Sequence, residues 1–247
     1  MPVLGLVTIG SLIISVDQIE ETIMKKIIFW TALISVVTLF IGACAKRDDT
    51  TITATAVTCS TTASGSITVG SDTVSSSYLM DTPNTPETGC YAMTSTGFPT
   101  GTQSISQQRI ITSSTSFVDY VGYFSDTACA TGISYMYNKY SSLSVGDQVS
   151  GLSTSGGRPS SAYKVTYKSE CTTAKGETDA GTELLNYYYS NTGVYLTTGT
   201  EMTFSTKTNQ STYNIWAAGN SGNSFYNGSS GTAYPSDWAT NDTTYVK

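Results

Sequence analysis

The chain has 247 residues, a net charge of −6 and only 12% charged side chains, about half the usual share of roughly 25%. It contains no histidine, so the commonest general base near neutral pH and the commonest transition-metal ligand are both missing. That excludes His-based triads and most zinc enzymes, and no metal or other cofactor is expected; carboxylate-pair and Ser-Lys chemistry stay open. No Lys/Arg cluster lies beyond the N-terminal region, which argues against a nucleic-acid partner.

Two apolar runs open the chain. Val3 to Val16 has no basic flank and is followed by Asp17, Glu20 and Glu21; residues 1–23 read as a misassigned extension, with Met24 the true start. From there Met24-Lys25-Lys26 forms a positive n-region and Ile27 to Ile41 an apolar h-region of signal length, short of a membrane span. The run ends in Ile41-Gly42-Ala43-Cys44. This ending resembles the lipobox of bacterial lipoprotein precursors, with 24–43 as the signal peptide. The resemblance implies cleavage before Cys44, acylation of its thiol (palmitate among the chains) and a membrane partner held through that lipid. Ala45 at the next position implies outer-membrane sorting, on the periplasmic or the surface face. An ordinary signal peptide and an uncleaved anchor are the competing readings.

Residues 44–65, rich in Thr, Ser and Ala, read as a flexible tether. A single β-rich domain is expected over 66–247. Ile67 and Val69 alternate with polar residues, and 71–88 reads as loop. Strand candidates follow at Gly89 to Met93, Arg109 to Thr112, Phe117 to Phe124, and through Ile133, Tyr135 and Tyr137. Tyr163, Val165 and Tyr167 alternate with Lys164, Thr166 and Lys168 as the clearest half-buried strand. Later candidates are Val194 to Thr197, Glu201 to Ser205 and Tyr213 to Trp216. One short helix is expected near 182–190, with Thr182 as its cap and Gly193 as its stop; another strand, which the Tyr run favours on propensity, is the rival reading. The Gly-rich stretch Gly219 to Gly231 reads as a mobile loop. About eight strands with polar turns predict an all-β domain, a small antiparallel barrel or alternatively a two-sheet sandwich.

With Cys44 set aside, Cys59, Cys90, Cys129 and Cys171 remain. An even number in an exported chain predicts two disulfides. Three connectivities are open, and positions beside predicted strands favour Cys90–Cys129 with Cys59–Cys171.

Tyr123-Phe124-Ser125-Asp126-Thr127-Ala128-Cys129, Pro235-Ser236-Asp237-Trp238 and Tyr245-Val246-Lys247 resemble short elements of small lipocalin-like exported proteins. The resemblance implies a lipocalin-like barrel that Gly89-Cys90-Tyr91 would open, with Tyr91 where Trp is usual and no evident Arg packed under it. It implies no ligand.

Each candidate for chemistry has a plainer reading. Tyr187-Tyr188-Tyr189 could stack a flat ligand or fill the core. Asp119, Asp126, Glu170 and Glu177 could include a glycosidase pair, but their spacing puts no two on one face, and Asp126 could fix a turn. Ser161-Ala162-Tyr163-Lys164 matches S-x-x-K, yet it runs into a strand. The expectation is a monomeric, non-enzymatic surface protein that binds an extracellular partner; a carrier of a small apolar ligand is the alternative, and a hydrolase ranks last.

Overall fold

The computed structural model describes residues 59–81, 89–92, 98–239 and 243–247. The expectations for the extension, the signal peptide, Cys44 and most of the tether fall outside these residues.

Eight strands close into an antiparallel barrel in simple up-and-down order: β3 (Ser77–Asp81), β5 (Ser104–Ser113), β6 (Ser116–Phe124), β7 (Gly132–Ser150), β8 (Ser161–Gly176), β10 (Thr212–Gly219), β11 (Ser224–Asn227) and β12 (Thr243–Val246). β12 returns to β3, pairing Tyr245 with Met80. Closure removes free sheet edges and excludes the two-sheet sandwich. The domain is therefore the all-β, lipocalin-like barrel with one α-helix. Two further short strands of the same sheet lie outside the ring. β4 (Cys90–Ala92) shares an edge of β5 with β3, and β9 (Met202–Ser205) shares an edge of β8 with β10. Gly89-Cys90-Tyr91 thus does not open the barrel; β3 does.

The alternation in sequence decides what faces inward. Along β6, Phe117 and Tyr123 point into the barrel and are buried, as is Ile105 on β5. One end is filled by an aromatic cluster of Phe117, Tyr167, Trp216, Phe225 and Tyr245. Phe117 stacks on Tyr140 at 4.9 Å and meets Trp216 edge-on at 5.2 Å. The hairpin of β1 (Ser66–Val69) and β2 (Asp72–Ser75) drives Ile67, Val69 and Val74 into the same cluster. The other end is filled by Ile105, Tyr123, Met136 and Phe204 under helix α1 (Asp179–Tyr188), whose Leu185 is fully buried. Asn186 on α1 exchanges two hydrogen bonds with the backbone of Leu196, at 3.1 and 2.6 Å, fixing the segment that follows the helix.

Between the two apolar ends lies a polar layer. Arg109, 3% exposed, donates to both carboxylate oxygens of Asp119 at 2.7 and 2.8 Å and to Asn227 Oδ1 at 2.7 Å. Its guanidinium also sits 4.5 Å from the centre of the Phe117 ring and 5.1 Å from that of Trp216. An arginine packed on tryptophan is therefore present, from β5 onto β10. Burial, the largest single effect, would pull the Arg109 pKa down, but the charge and hydrogen bonds of Asp119 together with Tyr245 and Tyr167 more than offset it and the guanidinium stays protonated. Nearby, Asn138 accepts from Thr172 and from the Tyr189 hydroxyl.

Several local expectations are corrected. The stretch 71–88 contains β2 and β3, because pairing gives their polar residues backbone partners, β1 for β2 and β5 with β12 for β3. Gly219 to Gly231 contains β11, a ring strand, for the same reason. Val194 to Thr197 is not a strand. The cap of α1 is Thr178, whose hydroxyl accepts from the Gly181 N–H, while Thr182 lies within the helix. Gly193, at φ 73°, ends the 3-10 turn that follows. Cys59 is bonded to Cys171 and Cys90 to Cys129. Residues 59–65, at the end of the presumed tether, are held by that first bridge and by Ser64, which donates to the Thr112 carbonyl at 2.7 Å.

Candidate functional site

The outer face of β5, β6 and β7 carries a groove of about 470 Å³, within the usual range of roughly 300–1,000 Å³ for small-molecule sites. Its geometry follows from cross-strand register. Gln108, Tyr120 and Tyr137 form one row, and Ser106, Gly122 and Tyr135 the next. Within these rows every position except Gly122 carries a polar or aromatic side chain. Gly122 makes room for its neighbours: a Cβ there would lie 2.9 Å from the Phe124 ring and closer still to the Tyr120 hydroxyl. Glycine thus lets Tyr120 lie along the sheet.

Tyr120 and Tyr137 face each other with ring centres 4.8 Å apart. Tyr135 meets Tyr137 edge-on at 5.7 Å and donates to Glu201 Oε2. The Cys90–Cys129 bridge and Ala128 wall the groove at one side. That wall is fixed by Asp126, whose carboxylate accepts from the backbone N–H groups of Ala128, Ala130 and Thr131. These bonds, those from Ala130 and Thr131 first, hold the Asp126 pKa below its ordinary value. Asp126 is therefore a loop-fixing residue.

Four polar groups converge on the groove unpaired. Among the described residues, the side chains of Ser106, Gln108, Tyr120 and Tyr137 have no hydrogen-bond partner. Ser106 is only 7% exposed. No charged side chain is among the described residues that line the groove. Burial, helped by Tyr137, pushes the Tyr120 pKa up to about 12, and burial followed by Glu201 raises that of Tyr137. Both hydroxyls therefore stay neutral near neutral pH and can donate and accept.

The candidates from sequence fall elsewhere. Tyr187, Tyr188 and Tyr189 do not form one platform. Tyr187 is 75% exposed beside a shallower groove of about 280 Å³ formed with Phe98 and Pro99. Tyr189 packs edge-on against Phe204 in the core. The acidic residues are separated: Asp119 pairs with Arg109, Glu170 with Lys139 at 3.6 Å and Glu177 with Lys175 at 2.9 Å. Ser161 and Lys164 project from opposite faces of β8, since their spacing is odd, and Lys164 sits over the Tyr234 ring.

Sequence reasoning passed over Ser106 and Gln108 and counted Tyr120 and Tyr137 only as strand. A signal was present. In Phe117 to Phe124, aromatic residues occupy both alternating sets, so this strand has no plainly solvated face. No family model matches the chain, and no curated protein matches it in sequence.

Proposed function

We propose that this protein is an exported binding protein, lipid-anchored through Cys44 at the bacterial outer membrane, which engages its ligand on the outside of the barrel. The carrying observation is the filled interior: aromatic side chains occupy one end beneath a hairpin, and α1 covers the other. A carrier of the lipocalin kind needs an open lumen, and the ion-paired layer at Arg109 is ill suited to an apolar guest. Recognition then falls to the outer groove, and a binding role without catalysis accords with its uncharged lining.

The test is a titration of the purified protein with a dansylated fatty acid. No saturable uptake is expected. Saturation with energy transfer from Trp216 would overturn the outer-surface reading in favour of the carrier. The anchor is tested separately. Cys44→Ser should move the protein from the membrane pellet to the soluble fraction, and the mature wild-type mass should include acyl chains on Cys44. A Cys44→Ser protein that still pellets would replace the lipid anchor with a membrane-spanning segment. Proteolysis of whole cells reports which face of the membrane carries the domain.

A further inference from the structure

We propose that the groove on the outer face of β5, β6 and β7 is a saccharide site, taking one or two neutral pyranose units of a glycan against Tyr120 and Tyr137; this rests on the outer-surface reading above. Gly122 is the first observation. Any side chain there would meet Tyr120 and Phe124, so glycine allows the Tyr120 ring to lie along the sheet and offer a face to the groove. Stacking of a sugar's C–H face on such a ring buries apolar surface while leaving its hydroxyls at the edge, free to hydrogen-bond.

The second observation is independent of the rings. Ser106 is 7% exposed, lines the groove and has no hydrogen-bond partner among the described residues. This hydroxyl can both donate and accept and is open to a polar ligand. The Gln108 amide is unpaired beside it and supplies both donors and an acceptor in one plane, a match for adjacent sugar hydroxyls. The third observation is charge. The groove's described lining holds no Lys, Arg, Asp or Glu, which disfavours phosphorylated, sulfated or zwitterionic ligands and favours a neutral one. The walls are also pre-set by the Cys90–Cys129 bridge and the Asp126 turn, which lowers the ordering cost of binding.

The test is calorimetric titration of the full-length lipoprotein in detergent with maltotetraose, cellotetraose and N-acetylchitotetraose. At least one is expected to saturate. Tyr137→Ala and Gln108→Ala should each weaken that binding about tenfold, while Tyr187→Ala, outside the groove, should not change it. Gln108→Ala is decisive, because its side chain has no hydrogen-bond partner among the described residues and its loss should leave the circular dichroism spectrum and melting unchanged. Failure of all three oligosaccharides to saturate, or full binding by Gln108→Ala, would overturn the assignment. If they fail while the dansylated fatty acid is also excluded, only the saccharide assignment falls. Fatty-acid uptake removes the outer-surface reading by itself.

Discussion

Neutralising Asp119 should expose how far the barrel depends on one ion pair. The Arg109 guanidinium is almost wholly buried and makes two of its three bonds to Asp119. Asp119→Asn keeps the shape and removes the charge. Breaking a buried pair by removing one partner costs about 3–5 kcal/mol, because the remaining charge stays out of water. Two features bring the expected loss down. The Asp119 side chain is 25% exposed, so water already screens part of the pair. The Phe117, Trp216, Phe225 and Tyr245 rings also surround the cation at 4.5 to 5.4 Å, worth about 0.5–2 kcal/mol. A net loss of about 2–3 kcal/mol follows, or roughly 5–10 °C in Tm for a domain of this size. Urea unfolding followed by fluorescence, without reductant, measures it. The double variant Arg109→Met/Asp119→Leu should recover most of the loss, since an apolar pair leaves no buried charge. A loss below about 0.5 kcal/mol for Asp119→Asn, or a double variant as unstable as the single, would refute this reasoning.

Removing the Cys59–Cys171 bridge with Cys59→Ala/Cys171→Ala should cost about 4–5 kcal/mol, because it closes a separation of 112 residues; urea midpoints of the two proteins check it. Leu185→Ala should cost about 3 kcal/mol by leaving a cavity under α1, and amide exchange in α1 should accelerate ahead of the barrel strands. The Asp126 turn should depend on pH in one direction. Its folded pKa lies below the unfolded value, so its support is present above the ordinary carboxylate range and is lost as pH falls through the depressed folded pKa. Exchange-corrected protection of the Ala130 and Thr131 amides should drop on acidification, and Asp126→Ala should abolish both the protection and its pH dependence.

Sequence periodicity located most of the long strands because alternation is a local property. The Tyr163 to Lys168 stretch carries its face assignment in every second residue. The helix was legible beside a rival strand reading that the Tyr run favoured, and its start was set too late, at Thr182 instead of Thr178, because Asp-Ala-Gly does not look helical until Thr178 caps it. Tertiary structure decided the rest. Ser224 to Asn227 has only modest local strand signal amid Gly, Asn and Ser; it is a strand because β10 and β12 offer backbone partners on both sides. Val194 to Thr197 has local signal and is no strand, because Asn186 takes the Leu196 backbone bonds instead.

Arg109 marks the same division. A lone cation in a strand reads as solvated, and only closure shows it buried with Asp119 and four aromatic rings. The groove follows the same logic, since Ser106, Gln108, Gly122 and Tyr137 come from three strands and are neighbours only through register. The amino-acid sequence by itself therefore determined an all-β domain, its principal strands and the helix near 182–190, since each depends on spacing within one segment. Barrel closure, the inward arginine and the composition of the groove depend on which strands pair and in what register, and that is settled only by the competition among long-range contacts for the same backbone bonds and the same buried volume.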